Sequence, residues 1–355
     1  MSLAVDTEQA FLDAIVKIAD EVAAPNADDV DRNARFPSES IAALRAEQAL
    51  SAFVPTELGG AGVSLETIAH ACFELGRRCG ASAMVFAMHQ IQVVTIVRHL
   101  EGSPWFEDYL RSLVSEQRLI ASITSEIGTG GDMGRSVAAV VPGEDGTASI
   151  EKQAPTVSYG AHADDYLTTV RSGPDAEAGD QVVVLHRADQ VMATPYSTSG
   201  PESMVPVSHI LWSQLWLGIA TDAFDRARAF VRAAAKRSPG TTPPAAQKLS
   251  AVMSDLSLLR AEVGLALREF EDADRGWLST MQAILRFSNL KIAASEQAPR
   301  VCQGAMGVGG IVAFKNDTPF SVGRHLRDSM SACLMIANER IHATNASLLL
   351  IAKEV

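Results

Sequence analysis

The stretch that most limits what this chain can fold into runs from Leu119 to Arg171. Two apolar, β-rich runs there flank a glycine-dense loop, Glu126 to Gly131, which Asp132 closes; a second turn follows at Gly160-Ala161. Short runs such as SVAAVV, TASIEK, DYLTTV and QVVVLH continue to about residue 190, punctuated by Gly, Pro, Asp and Ser, the pattern of brief strands joined by turns. Strands this short predict a compact antiparallel β-module, barrel-like or a sandwich rather than a parallel sheet. Both flanks carry the helical period instead. The chain is therefore mainly α, with a helical domain over 1–118, a small β-domain over 119–210 and a C-terminal four-helix bundle over 211–355. A ligand is expected on the β-module.

In the first block, AFLDAIVKIADEVAAP has apolar residues at helical spacing and is expected to end at Pro25. Pro37-Ser38-Glu39-Ser40 offers the next helix start. Gly59, Gly60 and Gly62 break the chain before Ser64, which caps a helix from Leu65 to Arg78. The following helix is apolar nearly all round, so it should be buried on several sides. It contains His89, which reads more readily as a satisfied core histidine than as a functional one. After Leu211 come three long helical stretches, a glycine cluster (Gly304, Gly307, Gly309, Gly310) and a last helix from Arg324 onward. Long antiparallel helices joined by short turns make an up-down bundle.

Composition narrows the function classes. A net charge of −12 leaves no general basic face for phosphates, which argues against a nucleic-acid binder. Cys72, Cys79, Cys302 and Cys333 lack metal-ligand spacing and read as reduced thiols of a cytoplasmic protein. Asp6, Glu8 and Asp13 interrupt any leader-like start, and no apolar run is expected to span a membrane, which takes roughly 18 residues or more.

Five motifs in order resemble the acyl-CoA dehydrogenase family, a flavoprotein superfamily that includes related flavin monooxygenases. VPTELGGAG resembles its VP-E-x-GG-x-G loop, TSEIGTGGD its TEP-GAGSD loop, and VSYGAHADDYLTTVR its strand-and-turn after the ligand loop. QGAMGVGG resembles its Q-x-x-GG-x-G segment, and RHLRD its Arg-Asp pair before the catalytic region. The resemblance implies FAD held between the β-domain and the bundle. It implies an acyl-CoA or acyl-carrier thioester substrate, an electron-acceptor flavoprotein or reductase as partner, and a homo-oligomer, dimer or tetramer.

Residue by residue, the resemblance puts Ser122, Ser125, Thr156 and Ser158 at the flavin edge. Alternation on a strand would turn Thr156 and Ser158 to one face; read without the resemblance, these hydroxyls are those of any Thr-rich β-domain. Gly130 and Gly131 fall in the ligand loop, where Gly131 replaces the family's serine. Arg237 keeps the charge of an Arg-x-x-Phe segment that here reads Lys236-Arg237-Ser238-Pro239, and Gln303 and Gly307 match the segment that reaches a neighbouring subunit's FAD.

The family's dehydrogenation needs a carboxylate in a dry pocket to take the α-proton. Counting from Arg327-Asp328, the usual glutamate slot is Ile336, followed by Ala337-Asn338; the alternative slot, on the first bundle helix, is Ser208. Glu339, one turn further, is the candidate catalytic base, set against a plain reading as a solvated helix residue. Three functions follow: an FAD-dependent α,β-dehydrogenase with a shifted base, a flavin monooxygenase using FAD or FMN with His325 and His342 as candidate residues, or a base-less subunit of a mixed assembly.

Overall fold

The computed structural model describes residues 2–130, 132–144, 147–186, 190–191 and 196–352, the side chains of 2–6, 186, 190 and 191 excepted. Helices α1 (Ser2–Ile18) and α2 (Ala24–Arg32) are joined without a break by a π-turn at Ala19–Ala23. Pro25 thus does not end the first helix. It sits in the first turn of α2, where a missing N–H is tolerated, and the wider π-turn takes up the irregularity. Then come α3 (Ser38–Ala46), α4 (Leu65–Arg78), α5 (Gly80–Arg98) and α6 (Pro104–Glu116). The Ser64 side chain accepts from Thr67 N at the start of α4, as its sequence predicts.

Helix α5 is long and apolar enough to cross a membrane by length and composition, contrary to the expectation that no run is. Its surface is spent on the core instead: Phe86, Val93, Val94 and Ile96 are all sealed from solvent. His89 sits among them. Its Nε2 lies 2.7 Å from Leu50 O, so it donates there, while Nδ1 accepts from Ile120 N at 3.0 Å. Burial holds the ring neutral by pulling its pKa down to about 4. The core reading of this histidine is the one its contacts bear out, and it ties α5 to the first strand.

That strand, β1 (Ile120–Ile123), pairs in parallel with β4 (Asp165–Arg171); β5 (Gln181–His186) and β6 (Gln190–Val191) add antiparallel neighbours in the order β1-β4-β5-β6. A separate ribbon joins β2 (Val141–Pro142) to β3 (Ala148–Ser149). The β-module is therefore a small mixed sheet with a ribbon, not wholly antiparallel and not a closed barrel among the described residues. The parallel pairing becomes possible because a long connection, residues 124–164, carries the chain back to start β4 beside β1.

A short helix, α7 (Tyr196–Ser199), and a π-turn at Gly200–Met204 lead into α8 (Val205–Arg237), so helix begins before Leu211. α9 (Ala245–Asp272), α10 (Arg275–Leu278) and α11 (Met281–Gly309) follow. Short connections make α8 and α9 antiparallel, and α9 and α11 likewise, so α8 and α11 run parallel. Gln303, Gly304 and Gly307 lie inside α11 rather than in a turn; only Gly310, at φ +57°, ends the helix. After α12 (Ile311–Phe314) comes α13 (Gly323–Met330), and the expected single last helix then breaks. A 3-10 turn at Ser331–Cys333 and a left-handed Ile336, φ +49°, separate α13 from α14 (Asn338–Leu349). A β-branched residue rarely accepts that conformation.

The N-terminal block and the bundle share one core, and two glycines set how closely they meet. A Cβ on Gly76 of α4 would lie 2.5 Å from Leu215 O of α8, and one on Gly218 of α8 would lie 2.3 Å from Phe73 O of α4. Backbone cannot yield as a side-chain tip can. Gly218→Ala is therefore expected to cost about 1–3 kcal/mol by overpacking. Urea unfolding measures it, and an unchanged midpoint would show that the two helices can slide apart freely.

Candidate functional site

The candidate site begins where β1 runs out. Tyr159 Oη donates to Ile120 O at 2.9 Å, and Ile127 N donates to Gln153 O at 2.9 Å. These two bonds make 120–127 and 153–159 run antiparallel beside each other. Ser122, Thr124 and Ser125 lie on one of these two tied segments, and Thr156 and Ser158 on the other. The expected strand around Thr156 and Ser158 is absent: residues 151–157 form an irregular connection, and both side chains are exposed. With no ladder on that side, strand alternation does not set their direction. Ser122 is half-buried on β1 and Ser125 is exposed just beyond it.

The glycine loop is shut at its base by Glu126. One carboxylate oxygen accepts from Ala138 N at 2.6 Å; the other accepts from Ser136 Oγ at 2.6 Å and Val137 N at 3.2 Å. Lys152 Nζ stands 3.6 Å away and donates to Thr169 O, anchoring the pair to β4. Burial works to raise the Glu126 pKa, but Ser136, the Ala138 and Val137 amides and the Lys152 charge outweigh it and hold the carboxyl below its ordinary range. Inside this clamp, Gly128 and Gly130 take φ of +97° and +62°, and Gly134 N donates to Asp132 Oδ1. Open space surrounds Gly130. Gly131 lies outside the described residues.

The other predicted residues divide between two ends of the bundle. Arg237 closes α8, and Gln303 and Gly307 sit exposed near the end of the parallel α11. At the opposite end lie the two glutamate slots. Ser208 is buried with Oγ donating to Met204 O at 2.5 Å, and next to it His209 Nδ1 meets Phe287 O at 3.0 Å. Ile336 occupies the left-handed turn before α14. Glu339, in the first turn of α14, is exposed. Its side chain faces solvent and not a dry pocket.

The most unusual group at this end belongs to none of the sequence motifs. Lys291 on α11 is sealed from solvent and donates to Asn338 Oδ1 at 2.7 Å, while Ser295 and Asn338 bond each other. Burial pulls its pKa down to about 8, against the raising pull of Cys333, Glu339 and Glu296. The signal was a lone lysine in an apolar helical face, between Leu290 and Ile292. The two histidines that are candidates for oxygen chemistry stand elsewhere: His325 is buried with Nε2 2.7 Å from Asp222 Oδ2, and His342 is exposed on α14. The Arg327-Asp328 pair serves the fold, with Arg327 bridging to Asp31 of α2 and burial raising Asp328 to about 6.

A helical domain, a small sheet and a parallel-ended bundle with a clamped glycine loop define a known class of architecture. Residues 5–116 match the family model for the acyl-CoA dehydrogenase N-terminal domain. A probable acyl-CoA dehydrogenase, fadE25, of Mycobacterium leprae is 31% identical over 32% of this chain and 29% of its own length. The alignment thus spans under a third of that curated relative. Over the whole chain the fold is that of butyryl-CoA dehydrogenase from Megasphaera elsdenii, with a TM-score of 0.81 at 18% identity, covering 97% of this chain and 98% of that one. It is equally that of FMN-bound TdsC from Paenibacillus sp. A11-2, a dibenzothiophene monooxygenase, with a TM-score of 0.80 at 18% identity over 96% and 97%. Residues 5–116 thus match the acyl-CoA dehydrogenase N-terminal domain, and the chain as a whole has the fold that this dehydrogenase and this monooxygenase share.

Proposed function

We propose that this chain is a flavin-dependent oxidoreductase whose flavin, FAD or FMN, lies along the hydroxyls of Ser122, Ser125, Thr156 and Ser158. The observation that carries this reading is the antiparallel apposition of 120–127 and 153–159 beside a clamped glycine loop. Hydroxyls and free backbone amides are the donors that a ring edge of carbonyls and nitrogens needs, so the residues present fit the group. Gly130 leaves room for an anionic part of the ligand at backbone N–H groups. Arg237, Gln303 and Gly307, at the far end of the bundle, would serve a neighbouring subunit's cofactor rather than this one. When bound, the flavin would supply hydride acceptance or oxygen activation, and the chain's hydroxyls and backbone amides would orient it.

Of the two chemistries, monooxygenation is the better supported. α,β-Dehydrogenation of an acyl thioester needs a carboxylate near the α-carbon, yet both slots are non-acidic (Ile336, Ser208) and Glu339 faces solvent. Dehydrogenation remains the second reading, with Glu339 as its base and an electron-transfer flavoprotein as its acceptor. The test is anaerobic. The purified protein, reconstituted with FAD or FMN, is expected to hold flavin and to keep its visible band when acyl-CoA thioesters are added. Bleaching by a thioester, abolished in Glu339→Gln with flavin retained, would overturn this in favour of dehydrogenation. Failure to hold any flavin would leave the non-catalytic partner subunit.

A further inference from the structure

Among the arginines between the first two domains and the bundle, one stands apart in its surroundings. Arg77 pairs with Glu74 and Asp225, and Arg78 with Asp20 and Asp222. Arg98, the last residue of α5, has no carboxylate within ion-pairing distance among the described residues, although it is half-buried. Its guanidinium lies over the Phe270 ring, 5.1 Å from the centroid, and its Nε donates to Ser203 Oγ at 2.9 Å. Those are its contacts, so both Nη groups are left without a hydrogen-bond partner among the described residues. Stacking on an aromatic face fixes the planar fork while leaving its outer edge open.

The surroundings sharpen the point. The charges acting on Arg98 are Arg275, which opposes its protonated form, and Glu202, which favours it. Glu202 is itself in contact with the Ser279 hydroxyl, at 3.3 Å. Arg275 likewise has no ion-pair partner among the described residues. Neither guanidinium is ion-paired among the described residues, so their charge is offset only at longer range, by Glu202, by Asp274 next to Arg275 in the chain and by the C-terminal end of the α5 dipole. His99 adds none: its Nε2 meets Ser203 Oγ at 2.9 Å, and burial, with Arg275 and Arg98, pulls its pKa down to about 4. Ser203 is therefore held twice, accepting from Arg98 and hydrogen-bonded to neutral His99. A partly desolvated, unpaired positive charge with pre-set, unused N–H groups is what a planar or tetrahedral oxyanion completes.

We propose that Arg98 and Arg275 form a binding site for a small oxyanion at the seam of α5, the start of α8 and α10, with Ser203 holding the Arg98 guanidinium in place. The ligand is a carboxylate or phosphate, free or carried on a larger molecule. Arg98 holds it through its Nη edge, and Arg275 supplies the second charge. This does not depend on the flavin reading.

The test uses the full chain without added flavin and compares inorganic phosphate, malonate and chloride at matched ionic strength. Phosphate or malonate is expected to raise the unfolding temperature at millimolar concentration, and chloride to do nothing. Arg98→Met should weaken that binding about tenfold or more, the loss of one charge-assisted pair. Arg275→Gln, at an exposed position that leaves folding intact, should weaken it less. The His99 ring resonances give an independent readout, because an anion offsetting the two arginines must move its titration upward from about 4. A response to phosphate alone identifies a tetrahedral anion, and a response to malonate alone a carboxylate ligand. The proposal is overturned if neither anion shifts the unfolding temperature or His99, or if both variants bind as the wild type does.

Discussion

Lys291→Met is expected to be more stable than the wild type at pH 7 and to be the less stable of the two above pH 10.5. The wild-type amine titrates near 8 in the folded protein instead of its ordinary 10.5, because burial disfavours the ammonium. Between those values the unfolded chain binds more protons than the folded one, so wild-type stability must rise with pH across that window. Below pH 8 both states are protonated and the penalty is constant and full; above 10.5 it has vanished. A shift of this size corresponds to about 3 kcal/mol. Methionine removes the penalty but also the hydrogen bond to Asn338, worth about 1 kcal/mol. The variant should therefore gain about 2 kcal/mol at pH 7 and lose about 1 at the alkaline end. Tyr109, Tyr159 and Tyr196, whose pKa values burial raises, oppose the wild-type rise above pH 10. They are common to both proteins and cancel in the difference. Urea midpoints at a series of pH values decide it: parallel curves for the two proteins would show that Lys291 is not the titrating group.

A cost of that size borne by one lysine bears on how much of this molecule was legible beforehand. The helix–sheet–helix order, the Leu65–Arg78 helix and its Ser64 cap were readable because periodicity and capping are local signals. The parallel β1–β4 pairing was not, since it depends on where a forty-residue excursion returns, and no local pattern encodes that. Pro25 misled because a π-turn absorbs a proline that an α-helix interior would reject. The last helix looked continuous because nothing in SACLMIANER is a breaker; Ile336 takes a left-handed conformation that its own preferences oppose, and only tertiary contacts can hold it there.

The candidate site divides in the same way. Motif order pointed to the glycine loop and to the vacant glutamate slots, and chemistry at a slot can be judged from the residue letter alone. Which hydroxyls share a surface could not be judged, because residues 151–157 are not a strand and their placement comes from two long-range bonds. Nor could the letters distinguish Arg98 from Arg77 and Arg78. Three arginines on consecutive helices look alike until their carboxylates are located. Glu126 read as the edge of a loop; its partners lie ten to twenty-six residues away, at Ser136, Ala138 and Lys152.

Glu126→Gln is expected to cost about 3–5 kcal/mol, the range for removing one partner of a buried pair. The glutamine oxygen can still accept from one or two of the three donors now held by the carboxylate. It cannot balance Lys152, whose side chain is only 4% exposed and whose other bonds, to Thr169 O and Oγ1, carry no formal charge. The damage should be local as well as global. Ser136 and Ala138 mark the far end of the glycine loop, so freeing them unties residues 127–135 from the two segments that carry the hydroxyls. Amide exchange of that loop should rise well before that of α4 or α8, and flavin affinity, if flavin binds as proposed, should fall with it. The Glu126→Gln/Lys152→Met double variant removes the stranded charge while leaving the loop unclamped. It should recover most of the stability and none of the loop protection. The pH dependence has a definite sign: because the carboxyl is held below its ordinary range, its contribution is complete above the unfolded pKa and disappears as pH falls through the lower, folded one. The wild type should lose its margin over Glu126→Gln in acid. A double variant no more stable than the single one would mean that the hydrogen bonds to Ser136, Val137 and Ala138, and not the buried charge, hold this end of the β-domain together.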